Sequence, residues 1–246
     1  MTTAPIRSVT SARSTMALPA ALSLLAGVTD VTSWLLLGGF FSAHVTGNLV
    51  VIAADVVSGR APGVAPILAV PVFIVTAAAA AVASRRLAAN GTSARTITTL
   101  LLSVQAVLLV LAAVLSFTTR ASDDPTRPLA VVIGLCAVCA MATQNAFLHL
   151  VPPKAVSTAV MTGNLVAGVI ALVDLALNRG ASPSVQASAR SRWRGAWPLL
   201  AGFVTGCLIG AAGAAAFSDR AAVIPAVLAC AIVAVTVFSQ KKDAYS

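Results

Sequence analysis

Apolar residues run along this chain in eight long blocks, approximately 17–39, 40–59, 64–88, 96–118, 128–150, 155–178, 196–217 and 221–239, with short polar gaps between them. A helix of about 20 apolar residues crosses a ~30 Å hydrocarbon core, so the blocks predict an all-α, polytopic membrane protein. Two of them are interrupted by the same polar triplet. Val45-Thr46-Gly47-Asn48-Leu49-Val50 and Met161-Thr162-Gly163-Asn164-Leu165-Val166 place Thr-Gly-Asn 116 positions apart. Breaks in corresponding places of two hydrophobic halves point to internal repeats, with a site at the repeat interface. The stretch Leu49 to Gly59 that follows the first break would be about 16 Å long as helix, half of the core. Each triplet block is therefore expected to reach the midplane, turn, and leave by the face it entered.

Charge favours the same arrangement. Four basic clusters, Arg7/Arg13, Arg85/Arg86/Arg95, Arg179/Arg190/Arg192/Arg194 and Lys241/Lys242, mark the cytoplasmic side by the positive-inside bias. Three blocks lie between the first and second clusters, and three between the second and third. All four clusters share one side only when one block in each group of three re-enters. The expectation is six crossings plus two re-entrant or broken Thr-Gly-Asn helices, eight membrane segments in all. An eight-crossing scheme fits the lengths but puts Arg85, Arg86 and Arg95 outside; the six-crossing scheme misplaces Arg60 alone. Three crossings per half is an odd number, so the second repeat would be inverted. The expected layout is a cytoplasmic tail 1–16, one transmembrane domain 17–240 with repeats at about 17–118 and 128–240, and a cytoplasmic tail 241–246. The run from Ala17 continues past Asp30 without a cleavage pattern and reads as a retained first helix. Asn178 to Arg194 reads as a mobile basic loop beside anionic headgroups.

Composition agrees. Hydrophobic residues make up 59% and charged ones 9%, against roughly 25% charged in soluble domains. The net charge of +9 belongs to the ends of the apolar blocks, so it signals topology and not a nucleic-acid partner. Membrane lipids are the expected surroundings. Cys136, Cys139, Cys207 and Cys230 all fall within apolar blocks and read as small buried residues. No metal-ligand spacing, phosphate loop or nucleophile–base pattern is present, so neither an enzyme nor a cofactor is expected.

Several residues could carry chemistry. In Thr46, Gly47, Asn48 and Thr162, Gly163, Asn164, glycine allows a backbone departure and Thr or Asn can cap a half-helix. That half-helix N-terminus would offer N–H groups to an anion or polar solute; close helix packing is the other reading. Asp30 sits deep in the first block with no basic neighbour in sequence, and a carboxyl there is costly unless protonated or paired. It suits proton or cation coupling, or a neutral interhelical hydrogen bond. Gln144 and Asn145 occupy the corresponding part of the second half. His44 could titrate near neutrality beside Asp30. Asp55 and Asp174 read as interfacial, and Trp34, Trp193 and Trp197 as belt residues. Gly202, Gly206 and Gly210 form a helix-packing face, within the fold or between subunits of a homo-oligomer.

Taken in order, Asp30-Val31, Val45-Thr46-Gly47-Asn48, Gln144-Asn145-Ala146, and Thr158 through Met161-Thr162-Gly163-Asn164 make the chain resemble the YoaK-like bacterial membrane proteins, a domain-of-unknown-function family. The resemblance covers roughly residues 17 to 240. Val45 stands where that family commonly has Met, and Val31 where Ala is usual. It implies an integral protein of the bacterial inner membrane and lends no substrate. The sequence expectation is a carrier or channel for a small polar solute or ion, with a non-transporting scaffold or accessory protein as the alternative.

Overall fold

A computed structural model describes residues 8–150, 161–177 and 182–244. Thr158, Arg179 and the stretch entering the second triplet lie outside the described residues. Eight α-helices follow in order: α1 Ser8–Leu36, α2 Gly47–Val57, α3 Val64–Ala89, α4 Ala94–Thr118, α5 Pro128–Leu150, α6 Met161–Leu177, α7 Pro183–Phe217 and α8 Val223–Ala244, with a 3-10 turn Ser218–Ala222 between the last two. No strand occurs among the described residues. Five stretches are long and apolar enough to cross a membrane. They are Ala17–Leu36, Val64–Ala89, Ala94–Thr118, Pro128–Leu150, and the 60 residues of Pro183–Lys242 that hold both α7 and α8. α2 and α6 are apolar but shorter, at 11 and 17 residues.

The buried side chains form three clusters stacked along the bundle. The upper one joins Leu36 and Leu37 of α1 and its exit to Ala65 and Ala69 of α3, Ala112 of α4, Ala130 and Ile133 of α5, and Ala214 of α7. The middle one holds Leu25, Leu109, Met141 and Ala229. The lower one joins Leu22 to Ala80 of α3, Ile97 and Leu101 of α4, and Phe147 of α5. α1 therefore ends in the layer where α3 begins, and α3 ends in the layer where α4 begins. α1 and α3 run in opposite directions, so α2 does not carry the chain from one end to the other.

Each end of the bundle has its own charge. At the upper end Arg60, Arg120, Arg127 and Arg220 face Asp55, Asp123, Asp124 and Asp219, four of each sign. Arg60, the residue that the charge pattern misplaces, bonds Asp55 at 2.8 Å and adds no net charge there. The hydroxyl and amide of Thr126, together with Arg127, hold the Asp124 carboxyl below the usual carboxylate range. The lower end gathers Arg85, Arg86, Arg95, Arg190, Arg192, Arg194, Lys241 and Lys242 against Asp174 and Asp243.

Block 40–59 divides into an irregular segment, 37–46, and α2. One expectation changes. The basic segment 183–194 is helical instead of a loop, because Ser182 stands at the N-cap with Pro183 at the first helical position. Helix also extends into both expected tails, starting at Ser8 and continuing to Ala244.

α1 packs most extensively on α7. A Cβ added to Gly202, Gly206 or Gly210 would lie 2.6, 2.1 and 2.9 Å from the carbonyl oxygens of Ala20, Leu24 and Val28. The glycine stripe thus lets two parallel backbones touch every fourth residue, as small residues do in membranes, with Cα–H···O contacts along the seam. This face is spent on α1 within the chain, so it is not available to a second subunit in this arrangement. Gly206→Leu should lower the unfolding temperature in detergent by several degrees, consistent with an overpacking cost of about 1–3 kcal/mol or more. Gly168→Ala, whose Cβ meets Ala196 at an ordinary 3.4 Å, should change it little. Equal effects would contradict the tight seam.

Candidate functional site

The site begins where α1 stops. Gly38 and Gly39 take φ of +89° and +75°, and the Gly39 N–H returns to the Trp34 carbonyl at 3.1 Å. The chain reverses there and descends alongside α1 as an irregular segment. Irregular backbone at membrane depth survives only if its polar groups are satisfied inside the protein, and two side chains do this.

Asp30 is the first. Its Oδ1 accepts from the amides of Ser42 at 2.9 Å and Ala43 at 2.6 Å and from the Ser42 hydroxyl at 3.3 Å. Its Oδ2 accepts from the His44 amide at 3.3 Å and lies 2.6 Å from His44 Nδ1. Asp30 is only 3% exposed. The expectation of an unpaired intramembrane carboxyl is corrected: His44 and three backbone amides surround it.

Asn48 is the second. Its Oδ1 accepts from the Phe41 amide and its Nδ2 donates to the Phe41 carbonyl, both at 2.8 Å. It is wholly buried, and this two-point clip fixes where the descending chain meets α2. The rest of the first triplet differs from expectation. Thr46 is exposed, its side chain makes no capping bond, and its backbone is helical. Gly47 does not have positive φ; a Cβ there would lie 2.8 Å from the Phe41 ring, so glycine supplies clearance instead of a sharp turn. The first amides of α2 are also taken: Gly47, Asn48 and Leu49 donate to the carbonyls of His44, Val45 and Thr46. The expected anion site at this half-helix is filled from within, one turn earlier, by Asp30.

In the second triplet Thr162 and Gly163 are exposed and Asn164 is buried, so asparagine is the inward residue of both. The start of α6 reaches α1, where the Ser23 hydroxyl lies 3.9 Å from Met161 Sδ and donates to the Leu199 carbonyl at 2.6 Å. Ser23 and Asp30 are seven residues apart and centred on the span Ala17–Leu36. The segment that leads into α2 and the first described turn of α6 therefore meet α1 about 5 Å above and below its midpoint at 1.5 Å per residue.

Gln144 connects three helices. It donates to the Leu22 carbonyl at 3.0 Å and accepts from Gln105 of α4 at 2.7 Å. Asn145 donates to the Met141 carbonyl at 3.0 Å, back along its own helix. Each broken helix ends in an ion pair: Asp55 with Arg60, and Asp174 with Arg192. Asp55 and Asp174 are thus paired as well as interfacial. Among the described residues no group of three or more His, Cys or Asp could hold a metal.

Three cavities bear on function. One of about 30 Å³ lies among α1, α4, α5 and α8, lined by Thr29, Thr32, Ser33 and Ser116 with apolar neighbours; it has room for water. A second, of about 170 Å³, opens at the lower end beside Ser84 and Arg85. A third, of about 500 Å³, is an apolar cleft between the lower half of α1 and α8. None of the three is lined by Asp30 or by either triplet.

Sequence reading missed Ser23, Ser42 and Gln105. Gln105 stands alone in the apolar run of α4 and could have been flagged by its cost there. Serines are common in apolar helices and carry no such signal.

A family model described as a protein of unknown function (DUF1275) matches residues 18–236. No curated protein and no solved structure matches the chain.

Asn48→Ala leaves a buried amide and carbonyl of Phe41 without partners, at a cost on the order of 2 kcal/mol. Hydrogen exchange at residues 40–46 in lipid should quicken by tenfold or more, while the core of α5 is unaffected. Unchanged exchange would show that the clip does not hold the segment.

Proposed function

This chain belongs to the DUF1275 family, whose function is unknown, and we propose that it moves a small polar solute or ion across the bacterial inner membrane. In this reading six helices cross, α2 and α6 re-enter from opposite faces, and both termini are cytoplasmic. The observation that carries it is the approach of the segment leading into α2 and of the first described turn of α6 to α1 on either side of its midpoint, each followed by a buried asparagine.

The packing supports an inverted repeat. Exchanging α1 with α5, α2 with α6, α3 with α7 and α4 with α8 turns the α1–α7 contact into α5–α3, α2–α3 into α6–α7, and α4–α5 into α8–α1, all of which occur. The α4–α8 contact maps onto itself. The exchanged pairs differ in extent, and in one of them α4 packs closely on α5, whereas the apolar cleft separates α1 from the lower half of α8. A closed interface above and a gapped one below is the asymmetry that alternation between two inverted halves requires. The basic lower end is the cytoplasmic one by the positive-inside bias. The YoaK-like resemblance accords with this reading and names no solute.

A second reading, a non-transporting scaffold, is favoured by one observation. Asp30, Asn48, Gln105 and Gln144 all find partners within the chain, and none of the three cavities reaches them.

Purified protein in vesicles with an internal pH dye, challenged with a panel of monovalent ions and small polar metabolites, separates the two. Transport predicts flux of at least one solute above protein-free vesicles, reduced on the order of tenfold (about 1.4 kcal/mol of binding or barrier) by Gln105→Leu, which breaks the link to Gln144. Folded protein that moves no solute supports the scaffold.

A further inference from the structure

His44 has a nitrogen that nothing among the described residues occupies. Its Nδ1 lies 2.6 Å from Asp30 Oδ2, while Nε2 is buried and has no hydrogen-bond partner. Buried polar atoms of native proteins nearly always find partners, and an exception calls for a physical reason. The Phe203 ring of α7 packs edge-on against the imidazole with centroids 4.9 Å apart.

We propose that His44 Nε2 is the proton-binding atom of this protein, with Asp30 as its positioning residue. Asp30 accepts three backbone amides and a hydroxyl. A carboxylate facing Nδ1 requires that Nδ1 carry the hydrogen, and this leaves the Nε2 lone pair free. The neutral ring beside the carboxylate gives the pair one negative charge. A proton arriving at Nε2 makes the pair imidazolium and carboxylate, with no net charge. The other groups facing the pair carry no opposing charge: Phe203 and the thiol of Cys207 from α7, and the Ser42 hydroxyl from the segment itself. Arg60 sits at the far end of α2, paired with Asp55. Proton coupling in the proposed function would thus reside on His44, not on the Asp30 carboxyl. The protonation itself does not depend on transport.

The experiment is a nitrogen NMR titration of the chain labelled with ¹⁵N-histidine in lipid nanodiscs. His149→Gln leaves His44 as the single histidine, and the range from about pH 5 to about pH 9 brackets the ordinary imidazole transition. The expected alkaline form has hydrogen on Nδ1 and a bare Nε2, and it gives way to a doubly protonated ring in one step as pH falls. Asp30→Asn should shift that step down by about one unit or more. Because this variant removes the carboxylate that holds the segment, Phe203→Ala is the companion: it keeps every Asp30 bond and should speed proton exchange at Nε2. Hydrogen on Nε2 in the alkaline form, a ring charged throughout, or one neutral throughout would overturn the proposal. A bare Nε2 that titrates in protein showing no flux would leave the proton site standing and remove only the transport reading.

Discussion

One carboxylate makes this fold possible. After α1 the chain turns back alongside it as irregular backbone, where each unpaired N–H shut away from water would cost several kcal/mol. An isolated carboxylate at the same depth is equally unfavourable. Asp30 and the amides of Ser42, Ala43 and His44 cancel both costs at once. Neither partner is stable there without the other. Asn48 then locks the segment to its own helix start through Phe41, so α2 begins partway into the bundle and not at its surface.

α1 is the post on which everything else is hung. One side receives α7 along the glycine seam, close enough for carbonyl oxygens to meet Cα hydrogens. At Asp30 it holds the descending segment, and at Ser23 it meets the start of α6. Through the Leu22 carbonyl it joins the Gln144–Gln105 pair of α5 and α4. The polar residues of the span therefore act as connectors between helices that lipid tails alone would not drive together. The same connections bring the irregular segment 37–46 and the first described turn of α6 to the middle of α1.

Much of the fold was legible in the sequence because hydrophobic block length is a one-dimensional signal. The blocks became helices among the described residues, and the first Thr-Gly-Asn break became the start of α2. Arg60 looked misplaced only because its partner, Asp55, cannot be assigned from sequence. Asp30 was marked by the cost of a charge at that depth, but the sequence could not show that the protein spends it on its own backbone. Gly47 and Thr46 were read by their conformational habits, whereas the structure uses the first for ring clearance and leaves the second outside. Ser23 and Ser42 were invisible because a small hydroxyl in an apolar helix is unremarkable until its acceptor is known. Whatever depends on which group satisfies which is decided by packing between distant segments.

The claim on which the account turns is that α2 and α6 each leave by the face they entered. Single cysteines at Arg60→Cys, Arg95→Cys and Lys241→Cys, labelled with a membrane-impermeant reagent in cells and in inverted vesicles, test it directly. The account predicts position 95 on the same face as position 241, and position 60 on the opposite one. Finding position 60 together with position 241, and position 95 across from them, would mean that both short helices cross the membrane, and would contradict it.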